Sequence, residues 1–100
     1  MNFVEVVDEN GDTTFINMDD VSSIRCGITD FPKGISAGIT FHMKNNDYVL
    51  LKYKTFSHYE ADDNPEEVDE AIRSATEYIT KVLENAHVNL HNIFGHDDVQ

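Results

Sequence analysis

The sequence predicts a single α+β domain spanning residues 1–100. About five antiparallel strands in a meander are followed by one long C-terminal helix packed across a face of the sheet. Three observations carry that prediction. Up to about residue 55, short runs of β-branched and aromatic residues alternate with polar ones and are punctuated by Asn, Gly, Asp and Pro. From residue 65 onward the apolar residues recur at helical spacing instead. Nothing between reads as a linker, an internal repeat or a low-complexity tract.

The first strand is predicted over residues 3–7 and the second over 13–17, joined through Asn10-Gly11, a dipeptide that tolerates positive φ. A loop of two or four residues would place Val4, Val6 and Phe15 on one face and Phe3, Val7, Ile16 and Met18 on the other, so both faces of this hairpin read as apolar. Residues 18–23 break the alternation and read as a turn or one helical turn, and a third strand is expected over 24–28. Residues 29–38 are rich in turn formers and read as a surface loop. In the next hairpin Ile39, Phe41 and Met43 alternate with polar residues before Asn45-Asn46-Asp47. The apolar match favours a three-residue loop that pairs Met43 with Val49, Phe41 with Leu51 and Ile39 with Tyr53, with Asn46 or Asp47 left-handed and His42 opposite Leu50.

The helix opens on strong punctuation: Asn64 as N-cap, Pro65 at the first helical position and Glu67 three residues after the cap. Val68, Ala71, Ile72, Ala75, Ile79, Val82, Leu83 and Ala86 form its apolar stripe, and Leu90 and Ile93 continue it in phase. A helix over residues 65–94 would be about 45 Å long, against roughly 24 Å for the width of five strands. Either the helix breaks near residues 85–89 and folds back, or a second chain covers the overhang at Leu90 and Ile93. With the two-faced first hairpin, this leads to the expectation of a homodimer. Residues 95–100 read as a mobile tail.

Charge narrows the function. Nineteen Asp and Glu against seven Lys and Arg give a net charge of −12. Such a field repels nucleic acid and anionic membranes, so direct binding to either is not expected and a partner should present a basic protein surface. The lone Cys26 leaves no internal disulfide and no Cys-based zinc site, which suits a reducing compartment. The start Met-Asn-Phe-Val-Glu has no basic region and no long apolar run, so a cytoplasmic location is expected.

The candidate site is the acidic run at the helix start. Glu60, Asp62, Asp63, Glu66, Glu67, Asp69 and Glu70 place seven carboxylates in eleven residues with no Lys or Arg among them. Acids stabilise a helix N-terminus, and two or three satisfy that cause; seven exceed it. Phe56 and Tyr59 are expected to supply apolar anchors beside them. Farther along, Glu70, Arg73, Glu77, Lys81 and Glu84 alternate in charge as an ordinary solvated face does. No catalytic constellation accompanies the acids. Cys26 lies in a strand without a recognisable His or Asn partner and reads as packing. His87 and His91 share a helical face, but no general-base Glu sits between them, so no metal and no cofactor is expected. Residues 52–59 interleave Lys and aromatics, and with −12 overall they read as an amphipathic edge strand.

The stretch Phe15-Ile16-Asn17-Met18-Asp19-Asp20-Val21-Ser22-Ser23-Ile24 resembles the opening of the flagellar FlbD-like family of small ββ-ββ-α proteins. In format (about a hundred residues, very acidic, no catalytic motif, a sheet plus a helix) the chain is similar to the anti-CRISPR and anti-restriction proteins of phages and mobile elements. That resemblance implies an inhibitor occupying the nucleic-acid groove of a host nuclease, Cas9 of type II systems foremost, in the cytoplasm of the host cell. The alternative is a homo-oligomeric structural or regulatory module of a phage or bacterium, assembled through Leu90 and Ile93.

Overall fold

The computed structural model describes residues 2–87. In chain order these form β1 (Phe3–Val7), β2 (Thr13–Asn17), a single 3-10 turn (Met18–Asp20), β3 (Val21–Phe31), β4 (Gly34–Met43), β5 (Tyr48–Ser57), α1 (His58–Asp63) and α2 (Pro65–Asn85). The class is α+β, as expected. The strands do not make one five-stranded meander: β1 and β2 form their own antiparallel ribbon, and β3-β4-β5 form a second antiparallel sheet. The 3-10 turn separates the two, capped by the Asn17 side chain, which accepts a hydrogen bond from the Asp19 N–H.

The first hairpin corrects the expected parity. Its loop is odd-numbered: the Asp8 N–H donates to the Asp12 carbonyl, the Asp8 carboxylate accepts from the N–H groups of Asn10 and Asp12, and Gly11 takes a φ of 85°. Val4 therefore pairs with Ile16 and Glu5 with Phe15. Val4, Val6, Ile16 and Met18 are buried, while Phe3, Val7 and Phe15 are exposed. An even loop would have divided the same residues otherwise.

The expected loop over residues 29–38 is instead strand. β3 runs to Phe31, turns through Pro32-Lys33, and β4 begins at Gly34, with Phe31 paired to Gly34 and Thr29 to Ser36. Proline suits the turn. The small residues have steric rather than turn-forming reasons. A Cβ on Gly34 would collide with the Phe56 carbonyl, and one on Gly38 would lie 2.8 Å from the Leu51 carbonyl oxygen. The β4–β5 hairpin closes with the Met43 N–H on the Asp47 carbonyl and Asn46 left-handed at a φ of 74°. Its register is Phe41 with Val49 and Ile39 with Leu51, two residues from the expected pairing, and His42 lies opposite Tyr48.

The helix α2 lays Ala75, Ile79 and Leu83 over a core completed by Val4, Val6 and Ile16 of the ribbon, Met18 of the 3-10 turn and Ile24, Ile39, Phe41 and Leu51 of the sheet. Its first turns bury Val68 and Ala71 against Ala37 and Phe56. The ribbon is pinned to the rest by the Glu9 N–H on the Lys52 carbonyl and the Val7 N–H on the Tyr78 hydroxyl. α2 ends at Asn85 rather than near residue 94. Ala86 donates to the carbonyls of Val82 and Leu83, and His87 stands left-handed at a φ of 60°, which satisfies the last carbonyls as a C-terminal cap does. Its 21 residues span about 32 Å, so the overhang calculated from a longer helix loses its basis. Leu90, Ile93 and the tail at 95–100 lie outside the described residues.

Candidate partner-binding site at the start of the helical layer

The seven carboxylates of residues 60–70 sit on two helices, not one. Ser57 caps α1: its hydroxyl accepts from the Glu60 N–H, and the Glu60 carboxylate accepts from the Ser57 N–H at 2.8 Å, a complete capping box. Asn64 ends α1 by donating its N–H to the Glu60 carbonyl, and Pro65, which has no N–H to continue the helix, opens α2 in a new direction. Asn64 thus holds the expected cap position of α2, but its side chain makes no capping bond.

The carboxylates divide by what they touch. Glu60 is held in the capping box. Glu70 takes the Arg73 guanidinium at 2.7 Å, and Glu70 first, with Asp69 and Glu77 behind it, pushes the Arg73 pKa up. Asp62, Asp63, Glu66 and Glu67 are exposed, and no hydrogen bond or ion pair among the described residues engages their side chains. Glu67 and Glu70 border a shallow groove with Tyr53, Lys54, Ala71 and Ser74, so the Lys54 cation of β5 shares that groove with them.

The two expected anchors separate. Tyr59 is 78% exposed, one helical turn before Asp62 and Asp63 on the same side of α1. Phe56 is corrected to a core residue at 5% exposure, packed with Ala37, Val68 and Ala71. The cause is a break in the β4–β5 register: Gly38 pairs with Lys52 but Ala37 with Lys54, so Tyr53 is the extra residue and the alternation shifts beyond it. Phe56 then points under the helix instead of away from it.

Sequence reasoning missed α1, although Ser57 followed by Glu60 is its signature. It also passed over a second acidic block in the sequence. Residues 1–24 contain Glu5, Asp8, Glu9, Asp12, Asp19 and Asp20 and no Lys or Arg, and they include the exposed Phe3, Val7 and Phe15. Between the two acidic blocks, residues 25–54 hold five of the seven cations, Arg25, Lys33, Lys44, Lys52 and Lys54, against Asp30 and Asp47. On this sheet Lys52 places its ammonium 3.9 Å from the centre of the Phe31 ring.

Among the described residues, no group of three His, Cys, Asp or Glu is arranged to hold a metal ion, and no helix is long and apolar enough to cross a membrane. Cys26 is half-buried at the core margin; burial pushes its thiol pKa up, against a smaller downward pull from the Thr76 side chain. The chain matches no protein-family model, no curated protein and no solved structure.

Proposed function

We propose that this chain is a non-enzymatic binding protein that docks the α1–α2 corner into a basic, nucleic-acid-binding cleft of another protein. The observation behind the reading is the set Asp62, Asp63, Glu66 and Glu67, exposed and without cation partners among the described residues, beside an exposed Tyr59. Four neighbouring carboxylates repel one another, a cost that the helix N-terminus alone does not require. A cleft lined with Lys and Arg for phosphates supplies the missing counter-charge, and Tyr59 adds an amphipathic anchor of the kind that dominates such interfaces. By its format the chain then acts as an anti-CRISPR or anti-restriction inhibitor in a host cytoplasm, with Cas9 as the first target to try.

The experiment titrates the chain into Cas9 loaded with guide RNA and reads target-DNA binding by fluorescence anisotropy. DNA binding should fall, and the apparent affinity of the inhibitor should weaken by roughly tenfold between 50 and 200 mM salt. Reversing Asp62, Asp63, Glu66 and Glu67 to Lys should abolish inhibition while the far-ultraviolet circular dichroism is unchanged. Undiminished inhibition by that variant would remove the corner from the account, and no effect of the native chain would remove Cas9. A homo-oligomeric structural or regulatory module is the second reading, and the open outer edge of β3 is what favours it.

A further inference from the structure

β3 is an 11-residue edge strand, and among the described residues no backbone hydrogen bond reaches its outer side. Edges of this length are ordinarily blunted by Pro, Lys, a bulge or inward charge; β3 has no Pro and no Lys, its register irregularity lies at its start between Val21 and Ser23, and its one helix-side charge, Asp30, lies next to its other end, so residues 24–29 between them carry no inward charge. Among the described residues, nothing accounts for two of its positions. Ile28 is on the helix side of the sheet yet 43% exposed. Gly27 has an ordinary φ, and a Cβ built on it meets no atom within 4 Å. A strand glycine with open space around it marks a place where another group approaches.

The geometry points to antiparallel pairing of β3 with β3 of a second copy, which joins two three-stranded sheets into one of six strands. Across a two-fold axis perpendicular to the sheet, residues that meet must face the same side. The helix-side row is Ile24, Cys26, Ile28 and Asp30; the outward row is Ser23, Arg25, Gly27, Thr29 and Phe31. With Cys26 opposite Cys26 of the second copy, Ile24 meets Ile28, Arg25 meets Gly27 and Ser23 meets Thr29, each twice. A shift in one direction sets Arg25 against Arg25, and a shift in the other sets Ile24 against Asp30; both are penalised as cross-strand pairs.

In the favoured register Ile28 is covered by Ile24 of the second copy, and Arg25 crosses a position where no side chain obstructs it. Lys33, in the turn that follows β3, approaches the end of the second copy's strand that Asp20 leads into, so charge is complementary at both ends. A second copy carries the same −12, and this neutral edge is where it can pair without setting acid against acid. The β1–β2 ribbon, with four acids (Glu5, Asp8, Glu9 and Asp12) and no cation, offers no such place. The pairing does not depend on which target the acidic corner binds.

Sedimentation equilibrium of the full chain from 5 to 200 µM tests this. The mass should rise with concentration from 11.4 kDa toward twice that value. Ile28→Lys should hold it at 11.4 kDa with unchanged circular dichroism, whereas Phe15→Lys, on the exposed ribbon face, should leave the dimer intact. In a mixture of isotope-labelled and unlabelled chains, intermolecular contacts should join the methyls of Ile24 and Ile28. A mass of 11.4 kDa at every concentration overturns the pairing. So does a dimer that survives Ile28→Lys, one lost in Phe15→Lys, or intermolecular contacts from Phe3 and Phe15 instead.

Discussion

Gly34 has no positive φ to justify it; what requires glycine there is the Phe56 carbonyl, which occupies the space a Cβ would need. Neither backbone can give way without breaking the β4–β5 ladder, so Gly34→Ala should cost about 1–3 kcal/mol or more in urea unfolding. Ser57 and Glu60 make a second test at this scale. Ser57→Ala removes the α1 cap and should cost about 1 kcal/mol, while Glu60→Gln keeps both capping bonds and should leave stability within about 0.5 kcal/mol. Because Glu60 is already engaged, Glu60→Gln should also disturb partner binding less than neutralising Asp62 or Asp63, as titration calorimetry would show. At Cys26, burial favours the neutral thiol, so the folded pKa stands above the unfolded one. Its contribution to stability is complete below the unfolded pKa and is lost as pH rises through the folded value, a window above 9.0. At neutral pH, iodoacetamide should therefore alkylate Cys26 more slowly than a free thiol, and denaturant should abolish the difference.

At the scale of elements, periodicity was enough for α2 and for the existence of most strands, because its stripe of Val68, Ala71, Ala75, Ile79 and Leu83 is the buried set. What escaped was parity. One residue more in the Asp8–Asp12 loop exchanges Phe15 for Ile16 at the core, and one extra residue at Tyr53 moves Phe56 from an anchor to the interior. Neither insertion shows in hydrophobic alternation: the first is set by the Asp8 carboxylate on the N–H groups of Asn10 and Asp12, and the second is a register break within the β4–β5 pair. The strand content of residues 29–38 was hidden because Gly34 and Gly38 look like loop residues but are small where the β5 backbone approaches closely, and Ser36 is buried with its hydroxyl on backbone carbonyls. Of the candidate site, the acids and Tyr59 were legible and α1 was not. The ribbon is also fastened in a way no local pattern announces. The Glu9 carboxylate accepts from the Thr55 N–H at 2.9 Å and from its hydroxyl, holding the hairpin tip to β5. Glu9→Ala should cost about 1–2 kcal/mol. It should also speed amide exchange at Thr55 and through β1 more than in α2, an outcome that separates local loosening from general destabilisation.

For the molecule as a whole, charge is distributed as three blocks: acidic through residues 1–24, net positive through 25–54, and acidic again through 55–87, where Arg73 and Lys81 face nine Asp and Glu. The middle block makes up most of the three-stranded sheet and its turns, so the cations concentrate there, with Lys54 bordering the groove at the start of α2. Within each acidic block, like charges are crowded with one resolved ion pair, Glu70 with Arg73, among the described residues. Folding brings those charges together and is opposed by their repulsion, whereas binding to a basic cleft is driven by the same charges. Salt screens both. The melting temperature should therefore rise between 10 and 500 mM sodium chloride while the affinity for a basic partner falls, two opposite slopes from one cause. In a variant with Asp62 and Asp63 changed to Asn and Glu66 and Glu67 to Gln, which weakens binding without reversing the charge, both slopes should flatten together. A flattened binding slope with an unchanged melting slope would place the repulsion in residues 1–24 and separate the stability of the fold from the corner that binds.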